Sequence, residues 1–138
     1  MAGKARAAAR VLVVTRVSAP RALVLVEDGA GGELPLSIPG QLVAATASSI
    51  AVGCAASATT ELTIRDIGYA ENPAGLPVFD GQLTTPTRTL AVRTVLGATL
   101  LEVVVPTTDT RVRIWANTPA EPTALTIGVA RAAAGIAR

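Results

Sequence analysis

Short apolar runs that alternate with polar residues, each cut by Gly or Pro before it reaches helical length, govern what this chain is able to fold into. Residues 60–66 are the plainest case: Leu62 and Ile64 alternate with Glu61, Thr63 and Arg65, a period of two that turns one side of a strand inward and the other outward. Such runs recur about every 8–12 residues, the spacing of an antiparallel sandwich or barrel. A chain of 138 residues holds one core, large enough to need neither metal nor disulfide. Aromatic residues make up only 2% of it, so the core is expected to be built from branched aliphatics, Ala and Thr methyls.

The expected fold is therefore all-β, a single antiparallel β-sandwich, jelly-roll-like, of about 8–10 short strands. It occupies residues 10–130, between basic, Ala-rich tails at 1–9 and 131–138. Strands are expected at 10–17 and 22–27, the latter turning through Asp28 and the glycines at 29, 31 and 32 into a return strand at 33–38. Pro35 has no N–H for a ladder and puts that return strand at an edge. Residues 41–58 mix Ala with β-branched residues, and the pattern favours a strand near 49–55. The longest irregular connection, 67–76, carries Tyr69. A short strand at 77–83 is expected to turn at Asp80-Gly81, and another strand spans 88–95. Residues 99–105 are nearly apolar on both faces and read as a candidate central strand, paired as a hairpin with 110–116. A last strand spans 124–129, and the remainder trails as a tail or short helix.

The +2 net charge conceals a division: residues 1–10 and 131–138 carry five cations and no acid, which leaves the body near −3. Basic ends suit an acidic partner or nucleic acid, and they equally suit solvated ends. At most weak, nonspecific, salt-sensitive nucleic-acid binding through the tails is expected, since the body has no aromatic platform for stacking bases. Arg16, Arg21, Glu27 and Asp28 interrupt the most hydrophobic region, so no membrane span is expected. Lys4, Arg6 and Arg10 precede an apolar run that Arg16 ends too early for a secretory signal. The lone Cys54, in an apolar setting, reads as a buried inert thiol, and with no disulfide the chain is expected to be cytoplasmic.

Not one histidine occurs, which removes the commonest general base, nucleophile activator and metal ligand together. One Cys and no His exclude a zinc or iron–sulfur site within a monomer, and neither Asp28 nor Asp109 has the carboxylate neighbours of a calcium loop. The glycines after Asp28 lack the Lys-Ser/Thr and the following helix of a phosphate-binding loop. Among Glu61, Asp66, Glu71, Asp80 and Glu102, no spacing singles out a glycosidase pair. No enzyme and no cofactor are expected.

The most suggestive surface is Arg111, Arg113 and Trp115, which share one strand face, with Arg88 and Arg93 expected on a nearby strand. Arg forks grip carboxylates or phosphates, and a Trp face accepts a guanidinium. The alternative is that Trp115 packs on the body while the arginines pair with Glu102 or other acids. Arg111, Arg113, Trp115 and Arg93, with the loop around Tyr69 second, are the candidate contacts for a partner. An Arg- and Trp-bearing penultimate strand, a polar loop and a final strand make a plan loosely similar to small immunity or nuclease-inhibitor-like proteins, and no functional residue is carried over from it. The expected function is a non-enzymatic protein-binding module, accessory or immunity-like, that docks by a sheet face and loops. The other reading is a self-assembling structural subunit, a virion or shell component, that uses its terminal arms.

Overall fold

Eleven alternating segments form strands in a computed structural model that describes residues 10–35, 41–67, 73–132 and 135–137. They are β1 (Arg10–Val17), β2 (Leu23–Asp28), β3 (Val43–Ala45), β4 (Ser49–Gly53), β5 (Thr60–Asp66), β6 (Leu76–Thr84), β7 (Thr89–Thr94), β8 (Thr99–Val104), β9 (Asp109–Ala116), β10 (Ala124–Val129) and β11 (Gly135–Ala137). One sheet has the order β1-β5-β10-β9-β6 and the other β11-β8-β7-β2-β4-β3. The two pack face to face as the expected all-β sandwich. Among the described residues, no helix is long and apolar enough to cross a membrane.

The inward residues of both sheets make one aliphatic core. Val24, Val26, Ile50, Val52, Leu90, Val92 and Leu101 face Leu62, Ile64, Leu83, Val112, Ile114, Leu125 and Ile127, all of them fully buried. Each contributes about 1.5–3 kcal/mol by leaving water. Cys54 lies in this core at 3% exposure, and burial pushes its thiol pKa up, as expected of an inert cysteine.

Long-range pairing departs from the sequence reading in several places. β2 does not turn back onto 33–35, and residues 36–38 of the expected return strand lie outside the described residues; β2 pairs with β4 on one side and β7 on the other. Residues 31–35 form no strand, and the Glu33 N–H is taken by Ser48 Oγ at 2.8 Å. No turn forms at Asp80-Gly81: β6 runs straight through and pairs with β9 along its length, with one bulge between Pro77 and Phe79. Gly81 serves packing there, because a Cβ would stand 2.9 Å from Phe79 Cζ. β8 and β9 are not a hairpin but belong to opposite sheets, since the chain crosses between layers after Val105, whose N–H donates to Arg88 C=O at 3.0 Å. Nor is β8 central; only β11 lies outside it, and Val104 is 53% exposed. Residues 135–137, expected in a tail or short helix, pair with β8 as β11. One pair, β5 with β10, is parallel.

A buried polar clamp fastens β2 to β7. Glu27 is 5% exposed, and Arg93 Nη1 donates to its Oε2 at 2.9 Å while Ser49 Oγ donates to Oε1 at 3.2 Å. The same guanidinium donates to the carbonyls of Asp28 and Gly29, and its Nε to Thr99 Oγ1 at 3.1 Å. Asp28, fully buried, accepts from the N–H groups of Ala30 and Thr87 at 2.8 and 2.9 Å. Removing one partner of such an ion pair strands a buried charge, so Arg93→Ala is expected to lower the unfolding free energy by about 3–5 kcal/mol. Urea denaturation followed by circular dichroism measures it.

Candidate functional site

β9 alternates because one of its faces must join the core. Val112 and Ile114 point inward with no exposure, and Arg111, Arg113 and Trp115 therefore point to the outer face of the five-stranded sheet. The neighbouring strands fix what meets them. On β6, Asp80 stands opposite Arg113 and Gln82 opposite Arg111; on β10, Thr126 stands opposite Trp115 and Gly128 opposite Arg113.

The ladder's parity brings these side chains close. Thr85 N–H donates across to Thr108 C=O at 2.8 Å, whereas Thr84 N–H turns away to Ala47 C=O at 2.9 Å. Counting back in twos, Gly81 and Leu83 are hydrogen-bonded to β9, and Asp80 and Gln82 occupy the non-hydrogen-bonded positions, where facing side chains approach more closely. Asp80 uses that proximity fully. Arg111 donates to it with Nε and Nη2 at 2.9 and 2.7 Å, a two-pronged fork, and Arg113 Nε lies 3.7 Å from Oδ2. The fork holds the Asp80 carboxyl below the ordinary range and raises the Arg111 pKa in turn. Arg111 and Asp80 remain about half exposed, at 57% and 45% of their side-chain surfaces, so the pair is presented to solvent.

Trp115 behaves differently from its neighbours, being only 3% exposed. Its ring lies over Gly128 on β10, where a Cβ would come within 2.8 Å of Cζ3, and Ile67 packs beside the same notch. The Arg113 guanidinium sits 4.9 Å above the ring centroid, a cation–π contact. Beyond the indole lies an open cavity of about 280 Å³ lined by Gly75, Ala116, Asn117, Ala124 and Thr126.

The structure thus brings Arg111, Arg113 and Trp115 together, with Trp115 as the seat of Arg113 rather than an exposed contact. Arg93 is not with them: β7 lies in the opposite sheet, and Arg93 is the buried clamp on Glu27. Arg88 is equally remote, at the turn before β7. Glu102 is on β8, across the sandwich, so the acid that pairs with Arg111 is Asp80. Tyr69 lies outside the described residues. Asp80 is the residue the sequence reading missed as a site member, although Phe79, Gly81 and Leu83 alternating with Asp80 and Gln82 carried a strand signal. Among the described residues, no group of three His, Cys, Asp or Glu is placed to hold a metal.

No protein-family model matches the sequence, and no curated protein matches it either. A solved structure does match in fold: ComJ from Bacillus subtilis, described as an inhibitor of the DNA degrading activity of NucA. The superposition has a TM-score of 0.69 at 10% identity and covers 88% of this chain and 97% of ComJ.

Two outcomes are expected from this geometry. Gly128→Ala puts a methyl into the space of the indole and Ile67, neither of which is the loose end of a flexible chain. The variant should lose about 1–3 kcal/mol of stability and show red-shifted Trp115 emission, both read in one fluorescence-monitored urea titration. Asp80 has its folded pKa depressed, so its contribution to stability is present above the unfolded value of about 3.9 and is lost as pH falls through the lowered folded value. Wild type should accordingly have a slightly higher denaturation midpoint than Asp80→Asn at pH 7, and the gap should close by about pH 2.

Proposed function

We propose that this chain is a non-enzymatic, inhibitor-like module that docks against another protein, and that its partner belongs to the nucleases. One observation carries the reading: a sandwich matching ComJ over nearly the whole of that protein's length. At 10% identity that likeness transfers no contact residue, so the docking surface must come from this chain's own geometry.

The outer face of the five-stranded sheet supplies it. Arg111 is held extended by Asp80, and Arg113 is held by the indole beneath it, so neither has to be ordered from a free rotamer when a partner arrives. An Arg already aligned in a fork exchanges or shares its carboxylate with an acidic residue of the partner at low entropic cost, and Arg is among the residue types that dominate interface energies. The open cavity next to Trp115 gives the same face an apolar recess beside its charges.

The test is titration of the purified chain into nucleases from its own host, with DNA degradation and complex formation measured together. One nuclease should be inhibited in a stoichiometric complex, and Arg111→Glu should weaken inhibition by at least about tenfold, as for an interface hot spot. Inhibition left unchanged by Arg111→Glu combined with Arg113→Glu overturns the assignment of the face, and the lack of any inhibited nuclease overturns the proposed partner class.

A further inference from the structure

β6 is an edge strand of nine residues, and among the described residues its outer side is open in one defined stretch. Thr84 closes one end, because both its N–H and its Oγ1 bond Ala47 C=O. Pro77, which has no N–H, and the bulge before Phe79 close the other. Between these guards, the parity set by Thr84 and Thr85 turns the backbone groups of Asp80 and Gln82 away from β9. Among the described residues, no hydrogen bond takes them up. An unpaired edge with regular backbone is a template for another strand.

From this register we propose that β6 pairs with β6 of a second copy of this chain, antiparallel about a two-fold axis at Gly81, joining two five-stranded sheets into one. A second copy fits because this edge is complementary to itself in one register, which elimination identifies. In an antiparallel ladder the facing residues must both point toward each other or both away, so the axis falls on Asp80, Gly81 or Gln82. An axis at Asp80 sets two like charges directly opposite, which is destabilising. An axis at Gln82 sets Asp80 against Thr84, whose N–H is already spent on Ala47. An axis at Gly81 pairs Asp80 with Gln82 of the other copy twice, a carboxylate beside an amide donor, and exchanges four backbone hydrogen bonds. At the centre two glycines face each other. On the inner side each Phe79 ring, which folds across its own Gly81, packs toward the partner's Leu83 position and gains cover from water.

The interface is small, so the expected dissociation constant is about 10–100 μM. Sedimentation equilibrium of the full chain, without any other protein, reads it independently of the nuclease reading, and either proposal can fail alone. Hydrogen exchange should show the amides of Asp80 and Gln82 gaining protection as concentration rises. Gln82→Pro removes an outward N–H and leaves the β9 ladder intact; it should keep the wild-type Trp115 emission and abolish the dimer. Gln82→Asp, which stays beside Arg111 within its own copy but faces the other copy's Asp80, should weaken dimerisation at least about threefold. Val14→Lys on the opposite edge strand should leave it unchanged. A chain that is monomeric up to about 1 mM overturns the proposal. So does a dimer that survives Gln82→Pro or that protects neither amide.

Discussion

The fully buried side chains between the two sheets are none larger than leucine and isoleucine, with Phe79 packed against them only from the β6 edge, and the rest of the structure follows from that limit. Sheets whose inner faces carry aliphatic side chains of similar size close to an even separation and leave no room for an indole. The chain's one tryptophan is consequently excluded from the core, although it is almost completely shielded from water. It is buried on the outside of a sheet instead, where a glycine on the adjacent strand cuts a notch deep enough to hold the ring. That placement turns a packing residue into a platform. Arg113 rests on it, Asp80 lies within reach of both arginines of β9, and a charged ladder stands where the sheet faces solvent.

What was legible in the sequence was whatever depends on side-chain alternation. β5 and β9 follow their period of two residue by residue, and the assignment of Val112 and Ile114 to the core and Arg111, Arg113 and Trp115 to the other face is as the structure has them. What was not legible is pairing across the layers. A short loop with Pro106 serves equally to reverse a strand within its own sheet and to carry it over to the opposite one, so β8 and β9 looked like a hairpin. Asp80-Gly81 carries turn residues, but here the glycine yields space to Phe79 and the aspartate answers two arginines, both of which are long-range facts. Arg93 looked like a surface cation, since nothing local to β7 reveals that Glu27, 66 residues away, is buried beside it.

The likeness to ComJ at 10% identity fits this division. Alternation, a supply of small aliphatics and glycines at tight approaches suffice to specify the sandwich, and many sequences satisfy them. The outer faces are under no such constraint. Asp80, Gln82, Arg111 and Arg113 are not required by the core, and the clamp around Glu27 and Arg93 already ties the opposite sheet together without them.

The parallel pairing of β5 with β10 has a consequence for how the chain reaches its fold. β10 occupies the middle of its sheet, between a half made of β1 and β5 and a half made of β9 and β6. Each half is able to form antiparallel pairs as its own residues appear, but nothing joins them until Ala124–Val129 has been made. Strands separated by so much intervening chain meet only after a large loss of loop entropy, which makes such closure slow. During synthesis, therefore, the two halves wait with the edges that will meet β10 open, and the last strand of their sheet to be read acts as the keystone between them.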